Sequence, residues 1–285
     1  MPRIALIGGP EIASYTVADE LWRLINKHTK TAFTFSVISL VNEEAAIAFF
    51  EYFVQQEDFL GFNVALPYKQ LFAKLVRKKA NGQIEQDIVN TVYKFKGNIL
   101  GANTDPLGIV SALENRTDIT SIKSCLMLGA GGAGRATAEH LSKHFGIVVA
   151  LHDPFVLGTD LELMSDRTYD LVINATPLGK VPLNEAAKHS ASPLNTMELQ
   201  RISHGGTVVQ EMNYFPEATQ LLNIGHSLGL YTVSGKEMLT YQALESWSRY
   251  FGLAYSQQAA TDILDAMTNY LNQKDQLMQG RSTNE

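Results

Sequence analysis

The sequence has 285 residues, 45% of them hydrophobic and 18% charged, enough for two cores and too apolar for wholesale disorder. Its 23 basic and 29 acidic side chains leave a net charge of −6 with no basic block, which argues against a nucleic-acid or anionic-membrane partner. A single cysteine, Cys125, excludes an internal disulfide and a cysteine-rich zinc site. With no apolar run near the ~18 residues of a membrane span, a cytoplasmic protein working as a monomer or homodimer is expected.

In chain order, periodicity and punctuation predict alternating strands and helices. Residues 3–7 form an apolar strand closed by Gly8-Gly9-Pro10, which reads as structure rather than a signal peptide. A helix is expected over 14–27, a strand over 33–40, a helix over 43–54 and a strand over 59–66, stopped by Pro67. Residues 68–78 return to helical spacing, and 91–95 with 99–103 read as a hairpin about Lys96-Gly97-Asn98. A linking helix at 106–113 opens a second unit with strands at 124–128, 147–151, 171–175, 207–211 and 231–233, helical stretches lying between them. Two helices follow, 236–251 and 257–272, and the polar tail 273–285 is expected to fray. The expectation is an α/β protein of two lobes, each on a mainly parallel sheet, with a ligand cleft between them. Its domains would be 1–105, completed by about 236–285, and 106–235.

The most informative local pattern is Gly129-Ala130-Gly131-Gly132-Ala133-Gly134, a G-x-G-x-x-G run between a predicted strand and a predicted helix. There the first glycine permits a tight turn, the second admits a pyrophosphate to the backbone, and the third allows close helix–strand packing. Asp153 ends the next strand near the ~20-residue offset at which a carboxylate accepts a ribose 2′-hydroxyl and repels a 2′-phosphate. NAD is therefore expected in preference to NADP. Asn174, Thr176, Pro177 and Leu178 leave a further strand at the sheet edge where such cofactors lie.

A nicotinamide dinucleotide moves hydride, so the protein must handle the alcohol proton. Zinc is disfavoured because Cys125 sits in a predicted core strand, and the Tyr-x-x-x-Lys pair of short-chain dehydrogenases is not expected. None of the seven histidines lies in a recognisable motif, and His140 with His144 reads as an exposed helix face rather than a metal site. Two strand ends in the first unit remain, carrying Lys69 and Asp105. A lysine in a cleft can be desolvated toward the neutral amine that accepts a proton, and a carboxylate can orient it.

Taken together, these segments resemble the shikimate/quinate dehydrogenase family over nearly the whole chain. The matching pieces are Asn63-Val64 with Pro67 and Lys69, Val89-Asn90-Thr91, Gly101-x-Asn103-Thr104-Asp105, the glycine-rich loop and Asn174-Ala175-Thr176. Tyr214-x-Pro216-x-x-Thr219 and Gly235-x-x-Met238-Leu239-x-x-Gln242 complete the order. The resemblance implies a catalytic lobe, a Rossmann lobe and terminal helices returning to the first lobe. It also implies a catalytic Lys69–Asp105 pair, ring-hydroxyl contacts from Asn90 and Gln242, and carboxylate contacts from Ser14 and Thr16. Tyr214 joins the implied substrate contacts and Gly235 the cofactor contacts. Read alone, Ser14 is first an N-cap. The implied partner is a small ring carboxylate, quinate or shikimate, with NAD.

Departures gather around the substrate. The family's His-Ser-x-Ser-Pro reads Ala13-Ser14-Tyr15-Thr16-Val17, its threonine after Asn-Val is Ala65, Asp87-Ile88 replaces Gly-Ala, and Pro106 replaces a glycine. Thr16 and Asp153 resemble the branch that uses NAD and accepts quinate. The alternatives are the same chemistry on another hydroxylated or amino-substituted ring carboxylate, and a non-catalytic sensor of NAD or a ring acid.

Overall fold

The computed structural model describes residues 1–84, 86–153, 167–180 and 191–281. The chain divides into two compact units, Met1–Leu107 with Gln242–Met267, and Gly108–Tyr241 with the residues from Thr268 on.

The first unit is built on strands β1 (Arg3–Gly8), β2 (Thr34–Ser39), β3 (Phe59–Val64), β4 (Gly82–Ile84), β5 (Thr91–Phe95) and β6 (Asn98–Ala102), in the order β2-β1-β3-β5-β6-β4. β1 runs parallel to both neighbours, whereas β5 is antiparallel to β3 and β6. The sheet is therefore mixed. The reason is local: Lys96 and Gly97 both take positive φ, 49° and 79°, the two-residue turn whose twist suits a hairpin. Helices α1 (Ile12–Tyr15), α2 (Ala18–Thr29), α3 (Glu43–Gln55), α4 (Lys69–Arg77) and α5 (Asp105–Glu114) fill the connections. One face of the sheet is packed by phenylalanines from β3, α3 and α4, with edge-to-face contacts between Phe53 and Phe62 (4.9 Å) and between Phe62 and Phe72 (5.1 Å). Elsewhere in the unit, Trp22 of α2 stacks on Phe35 and on Tyr250.

The second unit carries β7 (Ser124–Leu128), β8 (Val148–His152), β9 (Leu171–Asn174), β10 (Val208–Glu211) and β11 (Tyr231–Val233), ordered β11-β10-β9-β7-β8. Every pairing among them is parallel. β9 is buried throughout and β7 nearly so, as strands covered on both faces must be, which is why they read as unbroken apolar runs. The strand order reverses between β7 and β9, so among the described residues the ligand-binding switch point lies at their carboxyl ends. Helices α6 (Gly132–Phe145), α7 (Thr196–Ile202), α8 (Gln220–Ser227), α9 (Gly235–Phe251) and α10 (Gln257–Arg281), with a short 3-10 turn at Ile119–Ser121, complete the described elements. No described helix is long and apolar enough to cross a membrane.

Three elements differ from the sequence reading. The helix expected over 14–27 is broken in two, because Thr16 is extended (ψ 146°) and its Oγ1 accepts the Ala18 N–H, a side-chain turn that competes with the helical ladder. β4 was not expected; it is short and pairs alongside β6. The tail expected to fray from 273 is helical to Arg281, consistent with its Gln, Lys, Leu and Met content, all good helix formers. Residues 282–285, the segment between β8 and β9 that includes Pro154, and residues 181–190 lie outside the described residues.

Candidate active site

In the first unit the strand ends bring Lys69, Asn90, Asp105 and Gln242 together. Lys69 opens α4 just after the Pro67 turn, and Asp105 opens α5 just after β6. Lys69 Nζ donates to Asp105 Oδ2 at 2.7 Å, and Asn90 Nδ2 donates to Asp105 Oδ1 at the same distance. The carboxylate is thus held on both oxygens, at a helix start where main-chain N–H groups and the positive dipole end favour negative charge. Both side chains keep limited exposure, 20% for Lys69 and 10% for Asp105, so each remains reachable by a small ligand.

Asn90 is oriented by the hairpin. The register pairs Thr91 with Ala102, which sets Asn90 beside Thr104, and Asn90 Oδ1 accepts from Thr104 N (2.8 Å) and from the Thr91 hydroxyl (2.9 Å). With its oxygen so occupied, the amide must turn Nδ2 toward Asp105. Gln242 Oε1 lies 3.4 Å from Asn90 Nδ2 and accepts from Thr104 Oγ1 at 3.2 Å.

Behind this row is a residue that sequence reading missed. Ser246 Oγ, wholly buried, lies 2.9 Å from Asn63 Nδ2, 2.9 Å from Thr91 Oγ1 and 3.2 Å from Thr104 Oγ1, and donates to the Gln242 carbonyl at 3.0 Å. It ties α9 to β3 and β5. The available signal was its place one helical turn after Gln242, on the same face.

Ser14 and Thr16 are not part of this network. Glu11, not Ser14, occupies the N-cap of α1, because Ser14 lies inside that helix and turns its hydroxyl back to the Glu11 carbonyl at 2.7 Å. Thr16 caps the turn into α2, as described above. Asp87, exposed, pairs with Arg77 at 2.5 Å.

In the second unit, the glycine-rich loop leaves β7 and enters α6. Gly129 has φ +100°, and a Cβ on it would lie 2.9 Å from the Ala175 carbonyl carbon. A Cβ on Gly134 would lie 2.1 Å from the Gly129 oxygen, which shows how closely the helix start packs on the strand end. Gly131, by contrast, is exposed with nothing within 4 Å of a Cβ position, and neighbouring Gly132 is also exposed. One glycine is therefore needed for the turn, one for packing, and one is open toward solvent at a helix N-terminus. Those three roles fit a pyrophosphate. Ala130 and Ala133 complete the loop; the Ala130 N–H donates to Asp153 Oδ2 at 2.9 Å, and the Ala130 carbonyl accepts from Arg135 Nε at 2.7 Å.

Next to it, β9 ends in Asn174, in register with Leu128 of β7. Asn174 Oδ1 accepts from Thr176 N (3.0 Å) and Thr176 Oγ1 (2.7 Å), and its Nδ2 donates to the Leu178 carbonyl (2.8 Å). Pro177 and Leu178 stand exposed on this turn. Gly235 opens α9, where a Cβ would lie 2.2 Å from the Asn213 oxygen, and half-buried Tyr214 lies on the loop after β10. Sequence reading also missed Glu211 and Asn213, which brace this turn.

The described residues contain no group of three or more His, Cys, Asp or Glu side chains able to hold a metal ion. Cys125 is fully buried, and burial pushes its thiol far up. His140 and His144 stack at 4.4 Å, and burial together with the His144 charge lowers the His140 pKa. A Tyr-x-x-x-Lys spacing does occur, contrary to expectation, at Tyr270 and Lys274 of α10. There the ammonium sits over the ring at 5.4 Å, a surface cation–π contact.

No protein-family model matches the chain, but individual proteins do. The shikimate dehydrogenase (NADP(+)) of Pyrococcus abyssi is 32% identical over 204 residues, covering 68% of this chain and 73% of that protein. Among solved structures, shikimate 5-dehydrogenase from Thermus thermophilus in complex with NADP(H) and shikimate superposes with a TM-score of 0.76 at 23% identity, over 93% of this chain and 99% of that one. Quinate dehydrogenase from Corynebacterium glutamicum in complex with NAD gives a TM-score of 0.70 at 19% identity, over 94% and 99%. At those identities the structural matches establish the fold.

Proposed function

The chain belongs to the shikimate/quinate dehydrogenase family, and from that premise we propose that it is an NAD(P)-dependent alcohol dehydrogenase acting on a ring hydroxyl of shikimate or quinate. The observation that carries this reading is the Lys69–Asp105 pair at 2.7 Å, oriented by Asn90 and bordered by Gln242.

A nicotinamide dinucleotide, when bound, accepts the carbinol hydride in oxidation and returns it in reduction. The residues to hold it are the loop Gly129–Gly134, Asp153, the turn Asn174–Leu178 and the start of α9 at Gly235. In oxidation, Lys69 Nζ takes the hydroxyl proton as the carbon loses hydride, so the alcohol becomes a ketone. In reduction, the Lys69 ammonium returns that proton to the carbonyl oxygen. Asp105 keeps Nζ aimed and compensates the ammonium charge. Asn90 and Gln242 offer an amide donor and an amide acceptor to neighbouring ring hydroxyls, with Tyr214 a further contact to the ring acid. Ser14 and Thr16 are the hydroxyls proposed for the carboxylate.

NAD is proposed over NADP because the Asp153 carboxylate, seated against the Ala130 N–H, would repel a 2′-phosphate. Arg135 favours the other outcome: its guanidinium reaches the same Ala130 peptide, and a cation there suits a phosphate. The test is dinucleotide reduction in mildly alkaline buffer, with quinate and shikimate each offered NAD and NADP. Turnover with either acid that disappears in Lys69→Ala supports the reading, and the preferred cofactor decides between Asp153 and Arg135. Dinucleotide binding with no turnover on either acid would favour an altered substrate or a sensor.

A further inference from the structure

Glu211, at the carboxyl end of β10, is the carboxylate on which the end of β9 and the loop after β10 converge. It is completely buried. Its Oε1 accepts from Asn174 Nδ2 (3.0 Å), Met212 N (3.0 Å), Asn213 N (3.0 Å) and Asn213 Nδ2 (2.9 Å). Its Oε2 accepts from Thr219 Oγ1 at 3.0 Å and again from Asn174 Nδ2 at 3.0 Å. Asn174 in turn caps Thr176, and Asn213 Nδ2 donates to the carbonyls of Thr176 (3.0 Å) and Leu178 (3.1 Å). Both amides that hold the turn 176–178 are thus held by Glu211, and Asn213 is backed by the close approach of Gly235.

The partners are matched to a carboxylate. Every one of them donates, and only the Thr219 hydroxyl could reverse to accept. A proton on Glu211 would therefore set a donor against donors and release part of the network. The groups facing it are uncharged: Asn174 from β9, the Met212 and Asn213 peptides with the Asn213 side chain, and Thr219 at the start of α8. The nearby ions Glu217 and Lys236 pair with each other at 2.6 Å. Burial, opposed by these hydrogen bonds, pushes the Glu211 carboxyl up to about 6, so its protonation falls within a testable range.

We propose that Glu211 is a positioning residue for the dinucleotide, its ionised carboxylate holding the turn after β9 in the shape that receives the nicotinamide side of the cofactor. This rests on the reading of the loops after β7 and β9 as the dinucleotide cradle. In that cradle the glycine-rich loop takes the pyrophosphate and Asp153 the adenosine ribose, which leaves the turn 176–178 for the remainder.

The experiment is calorimetric binding of NAD and of ADP-ribose, which lacks the nicotinamide, between about pH 5.5 and about pH 7.5. In the wild-type protein NAD affinity should fall about 3- to 10-fold on acidification while ADP-ribose affinity changes less than about 2-fold. Any change at the adenosine end of the cradle would weaken both ligands alike, so the difference between them isolates Glu211. Glu211→Gln should bind NAD at the higher pH about as weakly as the wild type does at the lower, with a flat NAD-to-ADP-ribose ratio. Glu211→Asp should keep the pH dependence. A wild-type ratio that does not move with pH overturns the proposal, as does a Glu211→Gln profile that still slopes; if that variant does not fold, the wild-type ratio decides alone. Binding of neither ligand at any pH would overturn the dehydrogenase reading, and this inference with it.

Discussion

Asn90 donates to one oxygen of Asp105 at 2.7 Å and so leaves the other to Lys69. The pair is therefore oriented from the hairpin β5–β6, through an amide whose own oxygen is fixed by Thr91 and Thr104. Asn90→Ala should remove that orientation and strip the buried Thr104 N–H of its acceptor. We expect kcat to fall about 10- to 100-fold with a raised KM for the ring acid and an unchanged dinucleotide Kd. Steady-state kinetics beside cofactor titration would check it; unchanged kcat would show that Asp105 needs no second anchor.

Lys69→Ala should lower kcat by about 10²- to 10⁴-fold, the usual worth of a positioned proton-transfer group. Because the loops proposed for the dinucleotide belong to the other unit, cofactor affinity should persist. Loss of both together would point to a folding defect instead, which circular dichroism would reveal.

Ser246→Ala leaves Asn63, Thr91 and Thr104 short of a shared partner in a buried place. The expected loss is about 1–3 kcal/mol of stability, read by denaturant unfolding with an unchanged m-value. Ser246→Thr or Cys would not restore the wild-type value unless the added atoms fit.

The glycine-rich loop separates packing from ligand contact. Gly134→Ala places a methyl 2.1 Å from a carbonyl oxygen and should destabilise the second unit, whereas Gly131→Ala meets nothing within 4 Å and should leave Tm unchanged. If a pyrophosphate lies against Gly131, that second variant should still weaken NAD binding by about 10-fold, roughly 1.4 kcal/mol. Equal effects on Tm and Kd in both variants would refute the division of roles.

Stability should carry the mark of Glu211. Its folded carboxyl titrates at about 6, above the ordinary glutamate range, so the native state binds the extra proton. The contribution is present at low pH and lost as pH rises through that window, by on the order of 2 kcal/mol. Comparing unfolding free energies of the wild type and Glu211→Gln at several pH values isolates the slope, which the variant should lack.

Much of this was legible in the chain. The strand–helix alternation follows from apolar period and Gly/Pro punctuation, and the glycine-rich loop follows from backbone needs that few other residues meet. Ser246 and Glu211 were not legible. A serine inside an amphipathic helix and a glutamate ending an apolar strand are ordinary residues until the fold shows what surrounds them. The break at Thr16 was also hidden, since a hydroxyl that caps a turn and one that rides on a helix read alike.

By itself, then, the sequence determined the two α/β units and the glycine-rich loop, because these depend on local pattern, and it singled out Lys69 and Asp105 through the family resemblance that their segments carry. Only the tertiary structure decided which oxygen of Asp105 meets Lys69, and that α9 is bolted to β3 and β5 through Ser246. It likewise decided that a buried carboxylate organises the turn after β9. Those outcomes depend on strand register and on groups distant in sequence meeting out of water, where an unmatched donor or acceptor is costly and so a single arrangement prevails.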